Sequence, residues 1–341
     1  MVPLFSRSSF RALGLLIAIA LLLVSFALSV ALGTTKIGLL ATVESFLRYD
    51  VASSEHVIIR TTRLPRAIYA TLIGANLAVA GALMQGLTRN PLASPSLFGI
   101  NAGAVSCVVL ALTFLPVSSM EQLVWFAFLG AGIAALTVYF LGSLGREGLT
   151  PMKVVLAGAA MTALFSSITQ GMLVLNETGL QSVLFWLAGS IAGKELDGLA
   201  PVLPYMLIAG IAALALAHPV NILSSGEEMA KGLGQRTALV KAAVALAVVL
   251  LAGSSVAVAG SIGFVGLVVP HIARYLAGVD YRWIIPYSAV LGAILLLLAD
   301  IAARFLIMPG EIPIGVMTAM VGGPFFIYIA RKGFRPKGGA S

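Results

Sequence analysis

The chain has 341 residues, of which 60% are apolar and only 10% charged, with a formal net charge of +8 and a mean hydropathy of +1.04. A soluble globular domain carries about 25% charged and about 45–50% apolar residues. That class is excluded, and apolar runs recurring along the whole length point to a polytopic membrane protein. The positive charge is what membrane insertion favours in inner loops, so nucleic-acid binding is not expected. The single Cys107 excludes an intrachain disulfide.

Arg7 and Arg11 precede about 20 apolar residues from Ala12, longer than the about 7–15 of a cleaved signal. A retained first helix over 12–32 is expected. A second span over 67–87 follows a basic stretch holding Arg60, Arg63, Pro65 and Arg66. Pro91 and Pro95 break the helix and reverse the chain. Spans over 94–115, 121–142, 152–175 and 199–217 come next. The charged segment 219–238 separates them from spans over 239–259, 263–277, 284–305 and 314–330. The expected fold class is an all-α polytopic membrane protein of about ten transmembrane helices, one domain over 1–341.

With the N-terminus inside, fourteen of the 21 Lys and Arg fall on the inner side and seven, Lys36, Arg48, Arg60, Arg63, Arg66, Lys194 and Arg304, outside. The excess predicts both termini in the cytoplasm. It also leaves Arg60, Arg63 and Arg66 crowded on the disfavoured side. A weak internal repeat accompanies this pattern: at an offset of 179, Gly74, Ala78, Val79, Ala80, Gly81 and Pro91 fall on Gly253, Ala257, Val258, Ala259, Gly260 and Pro270. The copies lie five spans apart, hence in opposite directions, as in inverted-repeat transporters.

The segment Gly226-Glu-Glu-Met-Ala-Lys-Gly-Leu-Gly-Gln-Arg-Thr237 hints at a phosphate loop, but the order is wrong for one. Glu227 and Glu228 would repel a phosphate. The segment reads either as a solvated loop or as two short helices that dock a cytoplasmic partner. His271, with no acid or thiol nearby in sequence, is a poor metal ligand, as are His56 and His218, so no metal site is expected. Thr162, Ser166, Thr169 and Gln170 share one face of the fifth span, which commonly signals helix packing. No nucleophile–base set or carboxylate pair supports catalysis. An ion-gradient-driven secondary transporter would need ionisable groups deep in spans, and Asp300 is the one strong candidate.

Arg63-Leu-Pro-Arg66, Gly74-Ala, Gly81, Gln85, Arg89-Asn-Pro-Leu-Ala93, Pro95 and Gly99 resemble the permease family of iron–siderophore, haem and vitamin B12 ABC importers. The stretches 260–274 and 310–332 look like its later signatures, and the match runs from about residue 12 to 332. The resemblance implies a non-enzymatic permease that moves a ferric siderophore from a binding protein into the cytoplasm, with haem or vitamin B12 as the alternative cargo. It implies a dimer with a second permease subunit, a cytoplasmic ATPase pair carrying ATP and Mg, no cofactor in this chain, and a multi-pass place in a bacterial cytoplasmic membrane. It assigns Arg63, Arg66 and Arg304 to binding-protein docking, although Arg304 can equally pair with Asp300 four residues earlier. Gly226, Glu227, Glu228, Met229, Ala230, Lys231, Gly232, Leu233 and Gly234 become the ATPase-coupling segment. Thr162, Ser166, Thr169 and Gln170 become candidates for lining the pathway.

Overall fold

The computed structural model describes residues 4–5, 7–117, 119–144, 151–175, 187–308 and 310–333. Among the described residues the regular elements are all helical. They are α1 (Ser8–Ala31), α2 (Leu39–Leu47), α3 (Ser54–Ile58), α4 (Leu64–Thr88), α5 (Ile100–Phe114), α6 (Met120–Ser143) and α7 (Pro151–Leu175). After a 3₁₀ turn at Leu196–Leu199 come α8 (Leu203–Ser224), α9 (Glu227–Gly232), α10 (Thr237–Ala259), α11 (Val265–Ala277), α12 (Tyr281–Phe305) and α13 (Ile314–Gly333).

Among the described residues seven helices are long and apolar enough to cross a membrane, one of them Ser54–Thr88, in which α3 and α4 run on as one rod. At about 1.5 Å per residue a 24-residue helix rises about 36 Å, which exceeds a hydrocarbon core of about 30 Å. Helices α5 and α11 and the segment Ile314–Ile329 are apolar but shorter. The non-helical backbone before α11 is bonded inside the protein: Asn101 Nδ2 donates to Ile262 O at 3.1 Å, and Ser190 N donates to Ala259 O at 2.8 Å. Irregular backbone among spans is tolerated when its polar groups are satisfied this way.

The two largest departures from the expected span boundaries have local causes. The second helix starts at Ser54, well before 67, because Ser53 accepts from His56 N and a π-helical turn over Ile59–Arg63 carries α3 into α4. Helix α8 runs through Pro219 to Ser224 rather than stopping near 217. The repeat copies lie on α4 and α10, which pack together. They diverge at their ends, since Gly81 stays inside α4 whereas Gly260 (φ 73°) terminates α10.

Helix α4 is the axis of the core. Its most apolar stretch is 78% buried against 28% for α1. It packs most closely on α12, at Gly74 and Gly292, where a Cβ on either glycine would overlap the other's backbone carbonyl. A second crossing of the same kind brings Gly81 against Gly266 of α11. Without a hydrophobic force between helices in lipid, such close backbone approach is what holds them together. Exposed leucines on α1, such as Leu16, Leu21 and Leu23, complete a lipid-compatible periphery.

Candidate functional site

The ends of α4 carry two different polar assemblies, separated by a helix of 25 residues, hence by about 37 Å. At the N-terminal end of α4 two arginines next to Pro65 are buried in the protein. Arg63 is 4% and Arg66 6% exposed, and Arg304 of α12 joins them at 2%. Arg63 donates to the carbonyls of Val30, Ala31 and Thr35. Arg304 donates to Ser29 O at 2.8 Å and Leu32 O at 2.7 Å. The last carbonyls of α1 have no partners within the helix, and two guanidiniums supply them.

Asp300, fully buried, joins the remaining charges. Its Oδ1 accepts from Arg66 Nε at 2.7 Å and its Oδ2 from Arg304, the i,i+4 pair legible in the sequence. Arg66 also reaches Glu311 Oε2 at 2.6 Å, and Glu311 is one-third exposed, the most open member of the group. Arg60 donates to Ser45 O at 3.0 Å and lies 4.3 Å over the Tyr49 ring. The crowding of basic residues therefore has an internal cause: each arginine binds backbone carbonyls, a carboxylate or an aromatic face within the chain. The structure places Arg63, Arg66 and Arg304 together, as a buried frame rather than an exposed cationic patch.

At the other end, α9 forms a tied-down hook. Gly226 (φ 130°) turns the chain out of α8, and Gly234 (φ 76°) turns it back toward α10. Gly232 by contrast is an ordinary helical residue with open space beside it. The expected pair of short helices is a single one, Glu227–Gly232, because α8 absorbs the residues up to Ser224. Gln235 closes the hook, its Nε2 donating to Pro219 O and its backbone N to Ala230 O, both at 2.9 Å.

Glu227 pins α9 to the next helix. Its carboxylate meets Lys241 of α10 at 2.6 Å and Lys231 at 3.2 Å. The bond from Lys241 holds the Glu227 carboxyl below the usual carboxylate range. Ala230 is buried beneath the hook, whereas Met229 and Leu233 point outward at 59% and 69% exposure. A groove of about 780 Å³ opens there, lined by Arg89, Ser225, Gly226, Glu227, Glu228, Met229 and Lys231. Arg89 ends α4 in a left-handed conformation (φ 50°). Asn221 ties this end of α8 to α12, donating to Asp280 at 2.6 Å and accepting from Tyr281 N at 2.8 Å.

The face of α7 divides. Thr169 is buried and donates to Phe165 O, and Thr162 donates to Gly158 O and lies beside Gly99. Ser166 is half-buried and Gln170 exposed. The structure therefore does not place the four in one environment. His271 lies mid-helix in α11 against Phe325. Among the described residues no three of His, Cys, Asp and Glu gather as metal ligands.

The model of the FecCD transport family matches residues 21–332. The chain belongs to that family. It is 53% identical to the "Probable siderophore transport system permease protein YfiZ" of Bacillus subtilis, over 96% of this chain and 98% of that one. It is 45% identical to the iron(3+)-hydroxamate import system permease protein FhuB of the same organism, covering 96% and 85%. The ferric enterobactin transport system permease protein FepD of Escherichia coli is 40% identical, covering 94% and 95%. A solved structure of a metal-chelate type ABC transporter in an inward-facing conformation superposes with a TM-score of 0.79 at 30% identity, over 93% of this chain and 98% of that one. A FecCD permease is a multi-pass transport protein and not an enzyme.

Among the members of these assemblies to which sequence reasoning gave no role are Glu311, Lys241 and Arg89. Arg89 was visible as part of a family motif. Glu311 and Lys241 carry no local signal, because what defines each is a partner 245 or 14 positions away.

Proposed function

We propose that this chain is the permease subunit of an ABC importer that carries a ferric siderophore from an extracytoplasmic binding protein into the cytoplasm of a bacterium. The carrying observation is family membership over nearly the whole chain, together with relatives whose names specify siderophore, hydroxamate and enterobactin transport. In this reading both termini and α9 face the cytoplasm, which the excess of basic residues on that side supports. The protein works as a dimer with a second permease subunit in the cytoplasmic membrane.

The hook at α9 is the grip for a separate ATPase pair, where ATP and Mg bind. Exposed Met229 and Leu233 at its tip suit a protein groove, and the Glu227–Lys241 pin passes the motion of α9 to α10. On the outer side, a carboxylate of the binding protein reaches Arg66 by replacing Glu311, the open member of the frame. Arg63 and Arg304 serve docking by holding the end of α1 in place. Ser166 and Gln170 are the members of the α7 face open enough to line a path between two permeases.

Competitive uptake tests the cargo. Proteoliposomes holding the complete transporter should accumulate radioactive iron from a ferric siderophore, undiminished by excess haem or cobalamin. Suppression by either competitor, with no iron accumulation, would reassign the substrate.

A further inference from the structure

Helix α2 is built inside out. At 100° per residue, Leu39, Leu40, Val43, Phe46 and Leu47 share a face roughly 120° wide. All are exposed, from 45% at Phe46 to 77% at Leu47. The opposite face carries the buried Thr42 and Ser45, whose hydroxyls donate to Gly38 O at 3.1 Å and Thr42 O at 2.7 Å. The carbonyl of Ser45 accepts from Arg60, which clamps the helix with its polar side inward. A helix on a soluble surface would turn the other way, and an apolar patch of this kind marks a partner or a membrane.

We propose that α2 lies in the membrane–water interface, with its apolar face sunk into the acyl boundary of phospholipid; that the leaflet is the outer one rests on the orientation proposed above. Three observations favour lipid. The face continues the apolar surface of α1, whose Leu28 and Leu32 are exposed where the chain leaves for α2, and the two helices touch. Exposed Lys36 and Arg48 bracket the helix, placed for phosphate headgroups. Glu44, the exposed acid of the helix, falls at the margin of the apolar arc and not within it. Anchored this way, α2 fixes the height of the π-turn, and through Arg60 that of the whole arginine frame, relative to the membrane.

Site-directed quenching tests this without any transport step, so a failed uptake assay leaves it standing. In a Cys107→Ser background, Leu40→Cys is labelled with an environment-sensitive nitrobenzoxadiazole probe. The complete transporter is then reconstituted in phosphatidylethanolamine–phosphatidylglycerol vesicles. Glu55→Cys, exposed on the neighbouring α3, serves as control. The probe at 40 should be quenched several-fold more by nitroxide-labelled lipid than by aqueous iodide, and the probe at 55 the reverse. Iodide quenching at 40 with no response to nitroxide lipid would overturn the proposal. So would protection at 40 that appears only when the binding protein is added, since that assigns the face to protein docking.

Discussion

Arg66 Nε lies 2.7 Å from Asp300 Oδ1, joining α4 to α12 across 234 positions of sequence with both side chains buried. Around this pair the other oxygen of Asp300 holds Arg304, and Arg304 and Arg63 hold the end of α1. Two helices thus meet at one carboxylate, and Arg304 carries the network on to a third. Charges so removed from water are expensive to bury and more expensive to leave unpaired.

Asp300→Asn should therefore destabilise the protein by about 3–5 kcal/mol, because buried Arg304 loses its paired carboxylate and Arg66 keeps only that of Glu311. Thermal unfolding in detergent reads this as a large fall in Tm. An unchanged Tm would mean that the frame is hydrated and not the closed network described.

Glu311→Gln is the milder probe of docking, because it leaves the Asp300 pairs intact. Freed of its competitor, Arg66 should bind the binding protein more tightly, by about tenfold, or about 1.4 kcal/mol. The gain should shrink at high salt. Arg66→Glu should lose docking while ATPase assembly persists. Docking that ignores both variants would remove Arg66 from the contact.

The pin at α9 predicts a charge-swap rescue. Glu227→Lys and Lys241→Glu should each lower uptake per ATP hydrolysed several-fold, while the double variant recovers most of it. Recovery requires that the pair acts as a unit. Glu227 has a depressed pKa. Its contribution is thus complete above the ordinary glutamate value of about 4.3 and is lost only as pH falls through the lower folded value. Coupling should accordingly hold from pH 8 to about 5. Equal defects in single and double variants would make the contact incidental.

The glycine crossings predict a graded loss of folded yield. Gly74→Val and Gly81→Val place side-chain atoms on backbone carbonyls of α12 and α11, and neither helix can retreat without opening the core. Both should fail to give monodisperse protein in detergent. Gly232→Ala, with open space and a helical backbone, should be neutral to assembly. Normal yield of Gly74→Val would contradict the packing at α4.

Much of the fold was legible because lipid imposes one rule that the sequence cannot hide: long apolar runs must be helices. The same rule hid the beginning of α4, since the polar Arg-Thr-Thr-Arg stretch matches no apolar template and still forms a π-turn inside a helix. The arginines were legible as a cluster but not as a buried one. For Arg63, Arg66 and Arg304 the acceptors are carbonyls at the end of α1 and of Thr35, more than twenty-five positions away, together with the acids of α12 and the loop after it. Local sequence shows a guanidinium and its charge, not whether water or a helix end receives its protons. The turns at Gly226 and Gly234 were legible as glycine breaks, whereas the single helix between them was not, and its pin at Lys241 depends on tertiary contact.

In the proposed function, ATP bound to a separate subunit drives movement through this permease. The direct measurement is uptake of a ferric siderophore into proteoliposomes, loaded with binding protein outside, prepared with and without the ATPase and ATP. Accumulation only when both are present is the predicted result. Accumulation that persists without either and follows an imposed ion gradient would contradict it.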